Sequence, residues 1–180
     1  MQANEPPRMA NMEIIISREE IARRVAELGQ QLSADYAGRE LLVVGVLTGA
    51  FLFTADLVRA LDLPVEVDFI RVASYGGGTC SSGQICLRQD LTEAVAGRHL
   101  LLVEDIVDTG RTLAWLKAHL LARQPASLKI CALIDKAERR EVAVTVDYPG
   151  FPVAEGFLVG YGLDHAGQYR QLPDICLLRP

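Results

Sequence analysis

Apolar positions along the chain fall into two patterns. Leu41 to Leu47 is a continuous run of aliphatic residues broken only by Gly45, and His99 to Val103 and Leu128 to Ile134 are further mainly apolar stretches. Continuous apolar runs of this length predict strands covered on both faces, as in a parallel sheet. Val65 to Val72 reads as a further strand. Gln84 to Leu87 reads as a short returning one, and Val142 to Val146, Phe157 to Val159 and Ile175 to Leu178 as others. The second pattern is helical. Ser17-Arg18-Glu19-Glu20 has the form of a capping box, and Ile21, Val25, Leu28 and Leu32 follow it at helical spacing. A helix of roughly residues 17 to 34 is expected. Ala50 to Leu61, with Phe53, Leu57 and Leu61 on one face, and Arg111 to Leu121 are predicted as two more.

Strands and helices therefore alternate through the middle of the chain. That order calls for right-handed crossovers and an α/β fold, a mostly parallel twisted sheet flanked by helices on both faces. Residues 1–12 read as a flexible tail and 13–180 as one domain. Ligands of such folds bind beyond the carboxyl ends of the strands. Three candidate motifs fall there, after Leu47, after Val103 and after Ile134.

Composition narrows the picture only a little. Half of the 180 residues are hydrophobic, and a net charge of −5 argues against a broad nucleic-acid or membrane surface. No run reaches the roughly 18 apolar residues of a membrane span, and the polar Met1 to Ala10 is no signal peptide, so a soluble cytoplasmic protein is expected. Cys86, Cys131 and Cys176 lie in apolar runs and are expected as buried free thiols, with Cys80 in a glycine-rich loop. That loop, Ser74-Tyr75 followed by Gly76 to Gly83, is too rich in glycine to hold one conformation by itself.

Candidate chemistry centres on Leu101 to Leu113. An apolar strand ends in Glu104-Asp105, a turn carries Asp108, and Thr109-Gly110-Arg111-Thr112 opens a helix. Amides at a helix N-terminus, with hydroxyls and a glycine, suit a phosphate. Adjacent carboxylates suit sugar hydroxyls or a hydrated magnesium ion. A phosphate beside a diol describes a ribose phosphate. An ordinary capped helix would explain one acid and one threonine, but not Glu104 and Asp105 together.

This segment resembles the phosphoribosyl-diphosphate (PRPP) motif of the type I phosphoribosyltransferases, in the version of the hypoxanthine-guanine branch. The likeness extends from about residue 13 to 178 over several separate motifs. It implies a core sheet with a small hood. It also implies that Glu104 and Asp105 hold the ribose hydroxyls, that Asp108 is a general base near N7 of a purine, and that Asp108, Thr109, Gly110, Arg111 and Thr112 wrap the 5'-phosphate. Leu47-Thr48-Gly49 resembles the loop that binds pyrophosphate, often through a cis peptide, although Thr48 stands where many relatives have lysine or arginine. Ser74 and Tyr75 match the start of a mobile lid.

Lys136 matches the lysine that contacts the exocyclic oxygen of a 6-oxopurine, and Phe157 the aromatic that stacks on the base. Leu158 would offer backbone groups to the base edge, Asp164 would bind magnesium as well as border the base, and Arg170 would reach pyrophosphate. The implied metal is Mg2+, with Glu104, Asp105 and Asp164 as candidate ligands. The implied activity is purine salvage. It transfers a phosphoribosyl group from PRPP to hypoxanthine and/or guanine, in a homodimer or homotetramer, with neither nucleic acid nor membrane as partner. A xanthine- or pyrimidine-preferring enzyme and an RNA-binding regulator on the same fold are the competing readings.

Overall fold

The computed structural model describes residues 12–74 and 85–179. Its main sheet has six strands: β2 (Leu41–Leu47), β3 (Val65–Ser74), β4 (Ile85–Gln89), β5 (His99–Val107), β6 (Ser127–Asp135) and β7 (Tyr148–Pro152), in the order β4-β3-β2-β5-β6-β7. All neighbours are parallel except β3 and β4. A second, antiparallel sheet of β1 (Met12–Ile16), β9 (Ile175–Leu178) and β8 (Phe157–Val159) forms the hood. Three α-helices, α1 (Arg18–Asp35), α2 (Phe51–Ala60) and α3 (Arg111–Leu121), and a single 3-10 turn at Ala137–Arg139 complete the described elements.

Side-chain alternation along the central strands sorts the core into two halves. Leu41, Val43, Leu101, Val103, Cys131 and Leu133 point to the side covered by α1 and α2. Leu42, Val44, Leu100, Leu102, Ile130 and Ala132 point to the α3 side, against Leu113, Leu116 and Leu120. Both faces are covered, which is why these strands are mainly apolar. The capping box forms as expected, with the Glu20 amide donating to Ser17 Oγ at 3.3 Å and the Ser17 amide to Glu20 Oε2 at 2.8 Å. Ile21, Val25, Leu28 and Leu32 are all buried.

Several sequence expectations are corrected. β5 does not stop at Val103 but continues to Val107, so Glu104 and Asp105 lie within the strand, with Glu104 paired to Ala132 of β6. Residues Val142 to Val146 form no strand. Thr109 carbonyl takes the Glu141 and Val142 amides, at 3.0 and 3.1 Å, while Val144 and Val146 pack on the α3 side of the core. The edge strand is Tyr148–Pro152 instead. Met12 belongs to β1 rather than to a tail. Cys131 and Cys176 are free and buried, but Cys86 is disulfide-bonded. Residues 1–11, Tyr75 and the glycine loop lie outside the described residues. No described helix is long and apolar enough to cross a membrane.

Candidate active site

The carboxyl ends of β2, β5 and β6 supply the three motifs, as the topology requires. At β5, Glu104 is 7% exposed and Asp105 accepts the Ile106 amide at 2.8 Å on Oδ1. After β5 the chain turns through Asp108 and Thr109 to Gly110, whose φ of 81° places it in the left-handed region before α3. Gly110 at the N-cap of α3 has no side chain to cap the helix, and among the described residues only the Arg111 amide reaches a side chain, Thr109 Oγ1, at 3.5 Å.

Residues following β6 fold back over this loop. Lys136 amide donates to Val107 O at 2.9 Å, and Arg139 Nε lies 2.9 Å from Asp108 Oδ1. That carboxylate oxygen is buried, and the Arg139 contact is an ion pair without hydrogen-bond alignment. Arg111 pairs with Glu141 at 2.7 Å. Lys136 is only 4% exposed, and its Nζ donates to Gly156 O at 2.6 Å. A solvated surface lysine is thereby ruled out. Phe157 is half exposed, its ring meeting His165 edge-on at 5.3 Å between centroids. Asp105, Asp108, Lys136, Phe157, Leu158 and Asp164 share a cavity of about 630 Å3.

The remaining side is built from backbone. The Leu47-Thr48 peptide is cis, and the Thr48 side chain is exposed. Gly49 lies so close to Asp105 that a Cβ there would sit 1.7 Å from Oδ2. A Cβ on Gly162 would likewise sit 2.1 Å from Gly49 O. Arg170 donates from Nη1 to Gly162 O at 2.5 Å, and its Nη2 lies 2.6 Å from Asp164 Oδ1. Asp164 Oδ2 accepts the Gly167 amide at 2.7 Å. An unbroken series of contacts therefore runs from Asp105 through Gly49, Gly162 and Arg170 to Asp164.

Electrostatics follow from burial. Glu104 is held well above the ordinary carboxylate range by desolvation and then by the Asp105 charge. Asp105 is also raised by desolvation, with Arg170 among the groups pulling it back. Two adjacent carboxylates out of water favour a shared proton until hydroxyls or a cation arrive. Desolvation lowers Lys136, and the Asp108 charge opposes that shift.

All the expected base-side residues come together. The three candidate metal ligands do not form a closed cage, because no group of three or more acidic, His or Cys side chains among the described residues is placed to hold a metal. The acids present are hard oxygen donors of the kind magnesium takes, and magnesium commonly rests on one or two carboxylates plus substrate oxygens. Sequence reading missed Arg139, Gly156 and Gly162. A basic residue three positions after Lys136 was a usable signal for Arg139.

A strand carrying two acids, a helix start and a buried lysine thus lie together at the carboxyl ends of β5 and β6, an arrangement suited to a sugar phosphate. Sequence comparison agrees. The phosphoribosyl transferase domain family matches residues 12–166. The chain is 46% identical over 166 residues to the hypoxanthine-guanine phosphoribosyltransferase of Streptococcus pneumoniae strain R6, covering 92% of each. It is 45% identical over 164 residues to the hypoxanthine phosphoribosyltransferase of Salmonella typhimurium, covering 90% of this chain and 92% of that one. It also spans 26% of the bifunctional protein TilS/HprT of Listeria innocua, at 47% identity. Among solved structures, a hypoxanthine-guanine phosphoribosyltransferase from Bacillus anthracis aligns with a TM-score of 0.87 at 41% identity, over 93% of this chain and 98% of that chain. A Staphylococcus aureus hypoxanthine phosphoribosyltransferase aligns at 0.90 and 37%, over 99% and 97%. The chain belongs to the phosphoribosyltransferase family, within its hypoxanthine-guanine branch.

Proposed function

We propose that the protein transfers the 5-phosphoribosyl group of PRPP to hypoxanthine and/or guanine, giving IMP or GMP and pyrophosphate. The observation that carries this reading is the buried Lys136 ammonium, fixed on Gly156 O and facing the cavity shared with Asp108 and Phe157. An ammonium there favours a base with an acceptor oxygen over adenine, whose amino group is a donor.

Each remaining group has a part. Phe157 offers its exposed ring to the base. Glu104 and Asp105 accept the ribose hydroxyls, and the amides of Thr109 to Thr112 receive the 5'-phosphate. Arg170 exchanges its Asp164 partner for the pyrophosphate. The C1–oxygen bond to pyrophosphate breaks and a bond from purine nitrogen to C1 forms, while the N7 proton passes to the Asp108 carboxylate. Asp105, Glu104 and Asp164 would hold Mg2+ together with substrate oxygens, and the ion would supply positive charge against the leaving pyrophosphate. A cytoplasmic homodimer or homotetramer is part of the same proposal.

Asp108→Asn tests it. Turnover should fall by about 100-fold or more, the usual size of a general-base contribution, with the KM for PRPP within about threefold of the parent. Unchanged turnover would remove Asp108 from the reaction.

A further inference from the structure

Between Gly160 and Tyr169 the backbone has positive φ at Gly160, Tyr161, Gly162, Ala166, Gly167 and Tyr169. Left-handed conformations at non-glycine residues persist only where the surroundings fix them. Tyr161, at φ 47°, is 7% exposed, and two bonds fix it. Its amide donates to Leu172 O at 2.8 Å, and its phenol donates to Asp56 Oδ2 at 2.6 Å. Asp56 sits on α2, the helix that begins two residues after Gly49.

The phenol faces away from the reaction. It lines a separate cavity of about 590 Å3 bordered by α1 and α2, and takes no part in the cavity that holds Asp108 and Lys136. Its neighbour Gly162 does the opposite, lying against Gly49 O and receiving Arg170 on its carbonyl. One residue thus hangs from α2 while the next touches the pyrophosphate turn. Burial and then the Asp56 carboxylate raise the phenol's pKa, so it stays a donor through the working pH range. Asp56 is also paired with Arg59, 3.7 Å away on its own helix, and Arg18 borders the same cavity.

We infer that Tyr161 and Asp56 are a positioning pair. They register the Gly160–Tyr169 loop and the following Arg170 against the Leu47–Gly49 turn, and so set affinity for the pyrophosphate end of the substrate rather than for the base. The inference rests on the transferase reading above.

The test uses Tyr161→Phe, Asp56→Asn, Asp56→Ala and the double variant Tyr161→Phe/Asp56→Ala in the full chain. Separate KM values for PRPP and hypoxanthine are measured, with calorimetric binding of pyrophosphate and thermal midpoints. Loss of one buried hydrogen bond predicts that Tyr161→Phe raises the PRPP KM and the pyrophosphate Kd by about 3- to 10-fold. The hypoxanthine KM and kcat should stay within about twofold. Asn keeps an acceptor oxygen at position 56, so Asp56→Asn should rescue. The double variant should be no worse than Tyr161→Phe alone, because both remove the same contact. A folded Tyr161→Phe with unchanged PRPP KM and pyrophosphate Kd would overturn the inference. So would equal shifts in both KM values, or additive losses in the double variant. If the parent turns over no base, the transferase reading fails, while pyrophosphate binding still decides the pair.

Discussion

Gly49→Ala is the sharpest structural perturbation of the site. Gly49 is not among the glycines with positive φ, so alanine costs nothing in backbone conformation there. The whole effect is contact. The added methyl would lie 1.7 Å from Asp105 Oδ2 and 2.5 Å from its Cγ. Gly49 cannot withdraw easily, because its carbonyl is already against Gly162. The carboxylate must therefore yield by about 1.7 Å to reach ordinary contact distance, which breaks its 2.8 Å bond from the Ile106 amide. It also leaves the position proposed for a ribose hydroxyl. A hydrogen bond to a charged group is worth about 1.5–3 kcal/mol, so kcat/KM for PRPP should fall by about 10- to 140-fold. The hypoxanthine KM should move far less. Initial-rate kinetics with each substrate varied in turn, plus a melting curve to confirm folding, make the assay. A folded Gly49→Ala protein with parental kcat/KM for PRPP would refute the claim that Gly49 exists to make room for Asp105.

Two further expectations concern stability and pH. Because Glu104 and Asp105 are raised, the native state binds more protons than the unfolded chain above the ordinary carboxylate range, so stability falls as pH rises from about 4. Glu104→Gln should flatten that slope in chelator-treated protein and raise its neutral-pH melting point, while activity drops; an unaltered slope would show that the pair carries no excess proton. Asp68 is the opposite case. Burial pushes its pKa up, but amides of Glu93, Phe69 and Thr92 and the Thr92 hydroxyl outweigh that and hold it low. Its contribution is present above the unfolded pKa near 4 and lost as pH falls through the folded one. Asp68→Asn should therefore be less stable at neutral pH and lose less on acidification, as read by melting curves from pH 7 to 3.

The chain advertises its centre better than its margins. β2 and β5 were legible because both faces are covered, and α3 because Thr-Gly-Arg-Thr marks its start. The acids misled about where β5 ends: Glu104 and Asp105 look like loop residues yet occupy strand positions, at the cost of desolvation. β7 was hidden by its prolines. Pro149 and Pro152 are tolerable because the strand is an edge, and Arg24 takes the Pro149 and Gly150 carbonyls at 2.7 and 3.2 Å. Val142 to Val146 alternates like a strand, but the Thr109 carbonyl captures its first amide.

Within the site, the side chains proposed to meet a ligand could be read from motif positions, and Lys136, Phe157 and Asp108 do share one cavity. Contacts made by backbone alone could not. Gly49 against Asp105, and Gly162 against Gly49, depend on how two distant turns are docked. The Tyr161–Asp56 bond joins residues 105 apart in sequence, with no local pattern to signal it.

Lys136 and its cavity are proposed to select a 6-oxopurine for phosphoribosyl transfer. Steady-state nucleotide formation with hypoxanthine, guanine, xanthine, adenine and uracil, at saturating PRPP and magnesium, tests it most directly. Rapid formation of IMP or GMP, with adenine and uracil at least about 100-fold poorer in kcat/KM, is the result the buried ammonium predicts. Equal use of adenine, or no turnover of hypoxanthine and guanine, would contradict it.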